Sequence, residues 1–300
     1  MSEKNDEADS SLCCASCGIA EVDDIKLKKC TGCYLVRYCS IKCQRGHWPQ
    51  HKRVCRKRAA ELRDELLFKQ PESTHLGDCP ICMIPMPIDP KKSTVYACCS
   101  KVFCNGCDVA NEKRENEANV KNTCPFCRKP WPSTVEEGDK WRMKRVEIND
   151  PVAIREEGIE QHQKGDDISA FEYYKKASKL GDVEAHYRLS KAYHLGLGVE
   201  KDEGKEIHHT EEAAIGGHPE ARHNLGCSEW KNGNNDRAVR HWIIAASQGY
   251  FGSIVILRRS YKSRDVSKED LDAALRAYQA AEDATKSPQR EAADEYYRNP

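Results

Sequence analysis

Residues 39–55 read CSIKCQRGHWPQHKRVC, and this stretch decides how the first part of the chain folds. Cys39 and Cys43, like His51 and Cys55, are separated by three residues, which places each pair on one face of a helical turn. Two earlier pairs have the Cys-x2-Cys spacing, which puts both thiolates on one tight knuckle. Four donor pairs predict two tetrahedral metal sites. Their eight positions are Cys14, Cys17, Cys30, Cys33, Cys39, Cys43, His51 and Cys55.

The remaining cysteines and the charge balance point to the same class of protein. Of 17 cysteines only Cys227 lies beyond residue 127. The first residues, MSEKNDEADSS, lack the basic and apolar regions of a signal peptide, and no apolar run approaches the roughly 20 residues of a membrane span. We therefore expect a cytoplasmic or nuclear protein, in which reduced cysteines serve metal rather than disulfides. Lys plus Arg equal Asp plus Glu at 48 each, which argues against nucleic acid and membrane partners.

The first series of ligands resembles the MYND finger over its whole length, including Tyr38-Cys39-Ser40 and the run from Gln44 through Trp48 to Lys52. The resemblance implies interleaved zinc sites and the binding of short proline-containing peptides, without catalysis. His47 is an alternative donor, although the spacing is complete without it, and Cys13 is a spare thiol. The implied ligand sets are Cys14, Cys17, Cys39 and Cys43 for one zinc ion, and Cys30, Cys33, His51 and Cys55 for the other.

The second series resembles the RING finger in its three outer Cys-x2-Cys pairs and its Cys-Pro-Phe-Cys-Arg ending. A common RING has a histidine where this chain has Lys101, which cannot coordinate zinc at neutral pH. We therefore assign the doublet Cys98 and Cys99, although adjacent cysteines on one metal are geometrically demanding. The implied ligand sets are Cys79, Cys82, Cys104 and Cys107, and Cys98, Cys99, Cys124 and Cys127. With the first finger, four zinc ions per chain are expected.

The sequence leaves the activity of this second finger open. Ile81, Pro125 and Arg128 match the positions at which RING ligases dock a ubiquitin-conjugating enzyme. The usual apolar anchor of that surface is replaced by Asn111, however, and the residues after it are almost all polar. The first hypothesis is a zinc-binding scaffold for protein–protein interaction, and the second is a RING-type ubiquitin ligase that selects its substrate through the MYND finger or the helical repeats described below.

Small residues recur with a period of 32 to 36 residues in the second half of the chain. Each unit reads as helix, loop, helix and a glycine suited to the left-handed helix end. The second unit, with its Leu195-Gly-Leu-Gly-Val loop, resembles the Sel-1-like repeat, a relative of the tetratricopeptide repeat, which implies a surface that holds proteins. The recurring small residues form three series of equivalent positions, which we call ladders. They are Ala153, Ala185, Ala221 and Ser253; Ala177, Ala213, Ala245 and Ala281; and Gly181, Gly217 and Gly249.

Histidines cluster in these repeats but lack acidic or thiol companions at ligand spacing, so we interpret them as packing residues. They are His208, His209, His218, His223 and His241. Cys227 is interpreted as a small core residue.

The predicted fold is multidomain: two small cross-braced zinc modules followed by an all-α solenoid. The predicted segments are a disordered acidic N-terminus (1–12), a MYND-like finger (13–56), a helical linker (57–76), a RING-like finger (77–132), a linker (133–149) and about four helical hairpins (150–296).

Overall fold

The computed structural model describes residues 13–298, so the predicted disordered N-terminus (1–12) lies outside the described residues. The chain divides between Lys69 and Gln70 into two compact units. Among the described residues, no helix combines the length and the apolar character needed to cross a membrane.

The first unit is a small β-ribbon followed by one long helix. Strands β1 (Lys28–Lys29) and β2 (Arg37–Tyr38) pair antiparallel, and α1 spans Ile41–Leu67. The Ser40 side chain accepts a hydrogen bond from the backbone N–H of Cys43, which caps the first turn of α1. The helix continues through residues 57–67, so the finger and most of the predicted helical linker share one element.

The second unit begins with an irregular segment and a hairpin. After a 3₁₀ turn (Pro90–Lys92), strands β3 (Ser93–Tyr96) and β4 (Lys101–Cys104) pair antiparallel with Tyr96 opposite Lys101. Helix α2 (Asn105–Glu117) follows directly. Phe103 and Met86 are buried together with four of the cysteines, so sulfur atoms supply a large part of this small core.

Helices fill most of the described chain after residue 134. They are α3 (Val135–Glu147), α4 (Pro151–Gln163), α5 (Asp167–Lys179), α6 (Val183–Leu195), α7 (Glu203–Ile215), α8 (Pro219–Lys231), α9 (Asn235–Ser247), α10 (Phe251–Lys262), α11 (Lys268–Ala284) and α12 (Pro288–Arg298).

The predicted ladders explain how these helices stack. Ala177, Ala185, Ala213, Ala221 and Ala245 are fully buried, because only a small side chain fits where helix backbones approach closely. The helix pairs α4–α5, α6–α7 and α8–α9 pack most extensively, as the repeat pattern predicts.

The three predicted helix-ending glycines also behave as the pattern predicts. Gly181, Gly217 and Gly249 have φ values of 89°, 85° and 88°, in the left-handed region that glycine adopts without strain.

Two segments differ from the sequence-based expectation. Residues 135–147, predicted as part of a linker, form α3, which Thr134 caps and which packs on α4 through Val146. Helix α12, placed by sequence at the end of the solenoid, packs instead against α2 of the second finger. The α3 helix has local causes, because Thr134 caps it and Val146 packs on residues of the helix that follows. The position of α12 depends on contacts with residues far away in the chain, which the local pattern does not contain.

Candidate metal centres

Four of the five Cys-x2-Cys pairs form knuckles with one backbone conformation, whereas the fifth pair, Cys104 and Cys107, lies at the start of α2. The residue after the second cysteine has a positive φ, and its N–H donates to the carbonyl oxygen of the first cysteine at 2.8–2.9 Å. This turn points both thiols to the same side. The residues at this position are Gly18, Tyr34, Met83 and Arg128.

The knuckles and α1 assemble two donor groups in the first unit. In one group the Sγ atoms of Cys17 and Cys43 lie 3.6 and 3.5 Å from that of Cys39. Cys14 completes the group.

In the other group, the Cys30 and Cys55 sulfur atoms lie 3.7 Å apart, and the Cys33 sulfur lies 3.3 Å from His51 Nε2. His47 takes no part in either group, because its Nδ1 lies at hydrogen-bond distance, 3.1 Å, from the Tyr38 hydroxyl. Its ring stacks on that of His51, so His47 packs against a candidate ligand. Cys13 also lies outside the groups.

The second finger assembles two further groups. Cys79 and Cys107 approach to 3.9 Å between sulfur atoms, and Cys82 and Cys104 to 3.8 Å. The same four cysteines form one group within 4.8 Å of one another.

The sulfur atoms of the adjacent residues Cys98 and Cys99 both belong to the fourth donor group. Cys98 lies 3.4 Å from Cys127, and Cys99 lies 3.8 Å from Cys124. Lys101 does not belong to this donor group, and its ammonium lies 5.6 Å from the centre of the Phe126 ring.

These distances suit tetrahedral zinc. With Zn–S bonds of about 2.3 Å, two sulfur ligands lie about 3.8 Å apart, and a sulfur and a nitrogen ligand about 3.6 Å apart. The observed separations of 3.3–3.9 Å bracket those values. The donor sets, four sulfurs in three groups and three sulfurs with one nitrogen in the other, are those of structural zinc sites that leave no open position.

Each donor group contains at least one cysteine whose pKa is lowered and at least one whose pKa is raised. Burial alone would raise the pKa of Cys14, but hydrogen bonds from backbone groups of Cys39, Cys17 and Ser16 outweigh it and lower the pKa to about 6. A hydrogen bond with the Cys104 side chain is the main cause that lowers the pKa of Cys79 to about 4, against the opposing effect of burial. Thiolates are the form that binds zinc.

Comparison with known proteins identifies two kinds of module. Residues 14–55 match the MYND finger, and residues 154–182, 183–218 and 219–250 match the Sel1 repeat. MYND fingers bind zinc, so this chain carries a zinc-binding finger followed by helical repeats. Both modules are protein-interaction modules.

Similarity to individual proteins is more limited. A stretch of 31 residues is 52% identical to the human histone-lysine N-methyltransferase SMYD3, and it covers 10% of this chain and 7% of that protein. A Sel1 repeat protein from Oxalobacter formigenes is 24% identical, with a TM-score of 0.44, over 60% of this chain and 72% of its own. The protective antigen c5321 of uropathogenic Escherichia coli, which has an SLR fold, is also 24% identical, with a TM-score of 0.37, over 51% and 35%.

The three residues predicted to dock a conjugating enzyme have different surroundings. Ile81 is 40% exposed, but Pro125 is buried. The Arg128 guanidinium donates to the Asn111 side-chain oxygen at 3.0 Å. Asn111 is itself buried and donates to Glu115 at 3.0 Å, so it belongs to an internal polar network rather than to an open apolar surface.

The last helix lies over the second finger. Arg290 of α12 is only 9% exposed, and its guanidinium donates to the carbonyl oxygens of Pro85 and Ile84 and approaches the Cys82 sulfur at 3.5 Å. A Cβ on Gly106 of α2 would lie 2.9 Å from the Arg290 backbone nitrogen, so only glycine permits this approach. Nothing in the local sequence around Arg290 marks it as a neighbour of a cysteine cluster.

One further group of donors was not found by sequence reasoning. His218 Nε2 lies 2.9 Å from a Glu184 carboxylate oxygen, and His75 Nε2 lies 3.6 Å from the same oxygen. His218 Nδ1 accepts the Ala221 N–H and caps α8, so the proton of the neutral ring is on Nε2 and points at Glu184. This arrangement is a hydrogen-bonded contact between helices, in keeping with the packing role predicted for His218. Metal binding at Nε2 would have to remove that proton.

Proposed function

We propose that this chain is a protein-interaction scaffold with four structural zinc ions, in which the MYND finger and the repeats hold partners. The observation that carries the proposal is the packing of α12 on α2, which joins the second finger to the end of the repeats. A finger held in this way serves as a terminal clasp for the solenoid. Solenoids need such caps because each repeat buries its apolar surface only against its neighbours.

The four zinc ions are assigned to the four donor groups. Each group offers four ligands at distances that suit tetrahedral zinc, and adjacent groups interleave along the chain in both fingers. The proposed ligand sets are these four donor groups, including both Cys98 and Cys99. Structural zinc contributes folding free energy directly, so each finger is expected to fold with its metal.

The proposed ligands of the first unit are proline-containing peptides. Proline-rich segments dock on exposed aromatic side chains because their extended conformation is already formed. Tyr34 and Trp48 are 60% and 41% exposed on the MYND finger, and such large aromatic surfaces are usually covered by a partner or the core.

Binding of a labelled proline-rich peptide, measured by fluorescence anisotropy, tests this proposal. Trp48→Ala should weaken binding at least severalfold, whereas Val54→Ala on the same helix, with a similarly exposed side chain, should leave it unchanged. Equal affinity for all three proteins would reject the MYND finger as a proline-peptide site.

The second candidate function is that of a RING-type ubiquitin ligase. The observation in its favour is the exposed Ile81 inside the first knuckle of the second finger. The buried Pro125, the tethered Arg128 and the covering helix α12 favour the scaffold instead.

We further propose a cytoplasmic or nuclear location. The sixteen cysteines before residue 128 form no disulfide with one another, which suits those compartments. Fluorescence microscopy of the tagged chain tests it, and a secreted or organellar signal would reject it.

A further inference from the structure

A cleft of about 530 Å³ lies in the second unit, between the segment that leads into the second finger and the ends of α9 and α11. Its volume falls within the range of roughly 300–1,000 Å³ that is typical of ligand sites. We call it the acidic cleft, after the carboxylates that line it: Glu72, Asp78, Asp89 and Glu282.

Negative charge exceeds positive charge in the lining of the acidic cleft. None of its four carboxylates forms an ion pair with a described residue. Lys92, which also lines it, is already paired with Asp294 at 2.8 Å. The nearby Lys286 is paired with Asp283. Four unpaired carboxylates around one cavity create a negative potential that attracts cations.

A second observation points to a ligand with N–H donors. Gln248 lines the acidic cleft and is 7% exposed, and its Nε2 donates to the Gly217 carbonyl oxygen at 3.0 Å. Its side-chain oxygen is buried without a hydrogen-bond partner among the described residues. A buried acceptor of this kind costs free energy until a donor reaches it.

The lining also contains apolar surface that suits long cationic side chains. Pro71, Met86, Pro87 and Ile88 lie between the carboxylates. The methylene stems of Lys and Arg pack on such surface while their charged ends reach carboxylates. A metal ion fits less well, since the carboxylates of the cleft do not converge into any of the donor groups that the described residues form.

We propose that the acidic cleft binds an extended, Lys- or Arg-containing segment of a partner protein. The cationic ends of its side chains pair with Glu72 and Glu282, and an N–H of the segment reaches the Gln248 side-chain oxygen. With this site, the proposed scaffold would bind a second class of peptide in addition to proline-containing ones. It is separate from the MYND finger, so its failure would leave the proposed function standing.

The test uses the full zinc-loaded chain and a short labelled peptide with a Lys-Arg-Lys centre, followed by anisotropy. The double variant Glu72→Gln/Glu282→Gln should weaken binding by roughly two- to fivefold for each carboxylate. Raising the salt concentration should weaken wild-type binding as well, because exposed charges are screened. The peptide should raise the melting temperature of the wild type more than that of the double variant.

The control variant Glu147→Gln/Glu269→Gln removes the same charge from exposed positions outside the cleft and should bind as the wild type does. Equal weakening in both double variants would show general attraction and overturn the proposal. So would wild-type binding no tighter than that of a matched peptide with a Glu-Asp-Glu centre. Self-association that the cleft variant abolishes would replace the partner with a second copy of this chain and also overturn it.

Discussion

Arg290 donates a hydrogen bond of 2.7 Å to the carbonyl oxygen of Pro85, a residue 205 positions earlier in the chain. The same guanidinium donates to the Thr285 carbonyl oxygen just before α12. It therefore links the start of α12 to the first knuckle loop of the second finger, and it places a positive charge beside the cysteine sulfurs. Nearby cysteines hold the pKa of Arg290 above its usual value despite the opposing effect of burial.

Replacing Arg290 should detach α12 from the second finger. We expect Arg290→Ala to lower the free energy of unfolding of the second unit by about 2–4 kcal/mol, because the packing of a buried side chain and its charged hydrogen bonds to carbonyl oxygens are lost. Hydrogen exchange should rise in α2 and α12 first. Arg298→Ala, at the exposed end of the same helix, is the control and should change stability by less than about 0.5 kcal/mol. Unaltered exchange in both helices would refute the clasp.

Zinc content tests the four donor groups. Native mass spectrometry of reduced, metal-replete protein should show four zinc ions per chain, and two or fewer would rule out the double cross-brace. Chelation should unfold both fingers and release α12, while the paired helices α4 to α9 stay protected, since these helices pack mainly on one another. Loss of all helicity on chelation would contradict this division.

The adjacent cysteines Cys98 and Cys99 can be tested one at a time. Each sulfur lies within 4 Å of a different cysteine of the last knuckle, so Cys98→Ser and Cys99→Ser should each lose one zinc ion. Cys13→Ser, outside all of the groups, should retain four. If either doublet variant keeps four zinc ions and a folded spectrum, that cysteine is a bystander.

Acidification should destabilise the repeats through the half-buried His209. Burial, reinforced by the neighbouring His186 and His208, lowers the pKa of His209 from 6.5 to about 4. Between those values the unfolded chain takes up a proton that the folded chain refuses, so stability is full above pH 6.5 and falls as the pH decreases toward 4.

His209→Phe should therefore flatten the pH dependence of the unfolding free energy by about 1–2 kcal/mol over that window, after allowance for solvent screening. Phenylalanine keeps an aromatic ring beside Tyr193, on which His209 stacks. Acid release of zinc is common to both proteins, so the difference between them isolates His209. Parallel curves would contradict the shifted pKa.

The sequence predicts those features that depend on spacing. Knuckle spacing brings Cys14 to Cys17 and Cys79 to Cys82, and the period of small residues places Ala177, Ala185 and Ala213 in the core. The contacts that it does not predict join distant segments. Arg290 beside Cys82 and His75 beside Glu184 are contacts between segments more than 100 residues apart in the chain, and no local pattern encodes them. The sequence predicts the role of Asn111 only in part. Its polarity argues against an apolar anchor but does not reveal its buried partner Glu115.

We propose that the second finger is a clasp within a scaffold rather than a ligase. The most direct measurement is ubiquitin discharge from a panel of charged conjugating enzymes, with Ile81→Ala and Arg128→Ala as variants. A ligase would lose discharge on Ile81→Ala with unchanged zinc content. On Arg128→Ala it would slow roughly tenfold to a hundredfold, from the loss of a transition-state hydrogen bond. We predict that wild-type protein does not raise the rate of ubiquitin discharge from any enzyme of the panel above the rate measured without this protein. Discharge that the wild type accelerates and that Ile81→Ala abolishes would contradict the scaffold proposal.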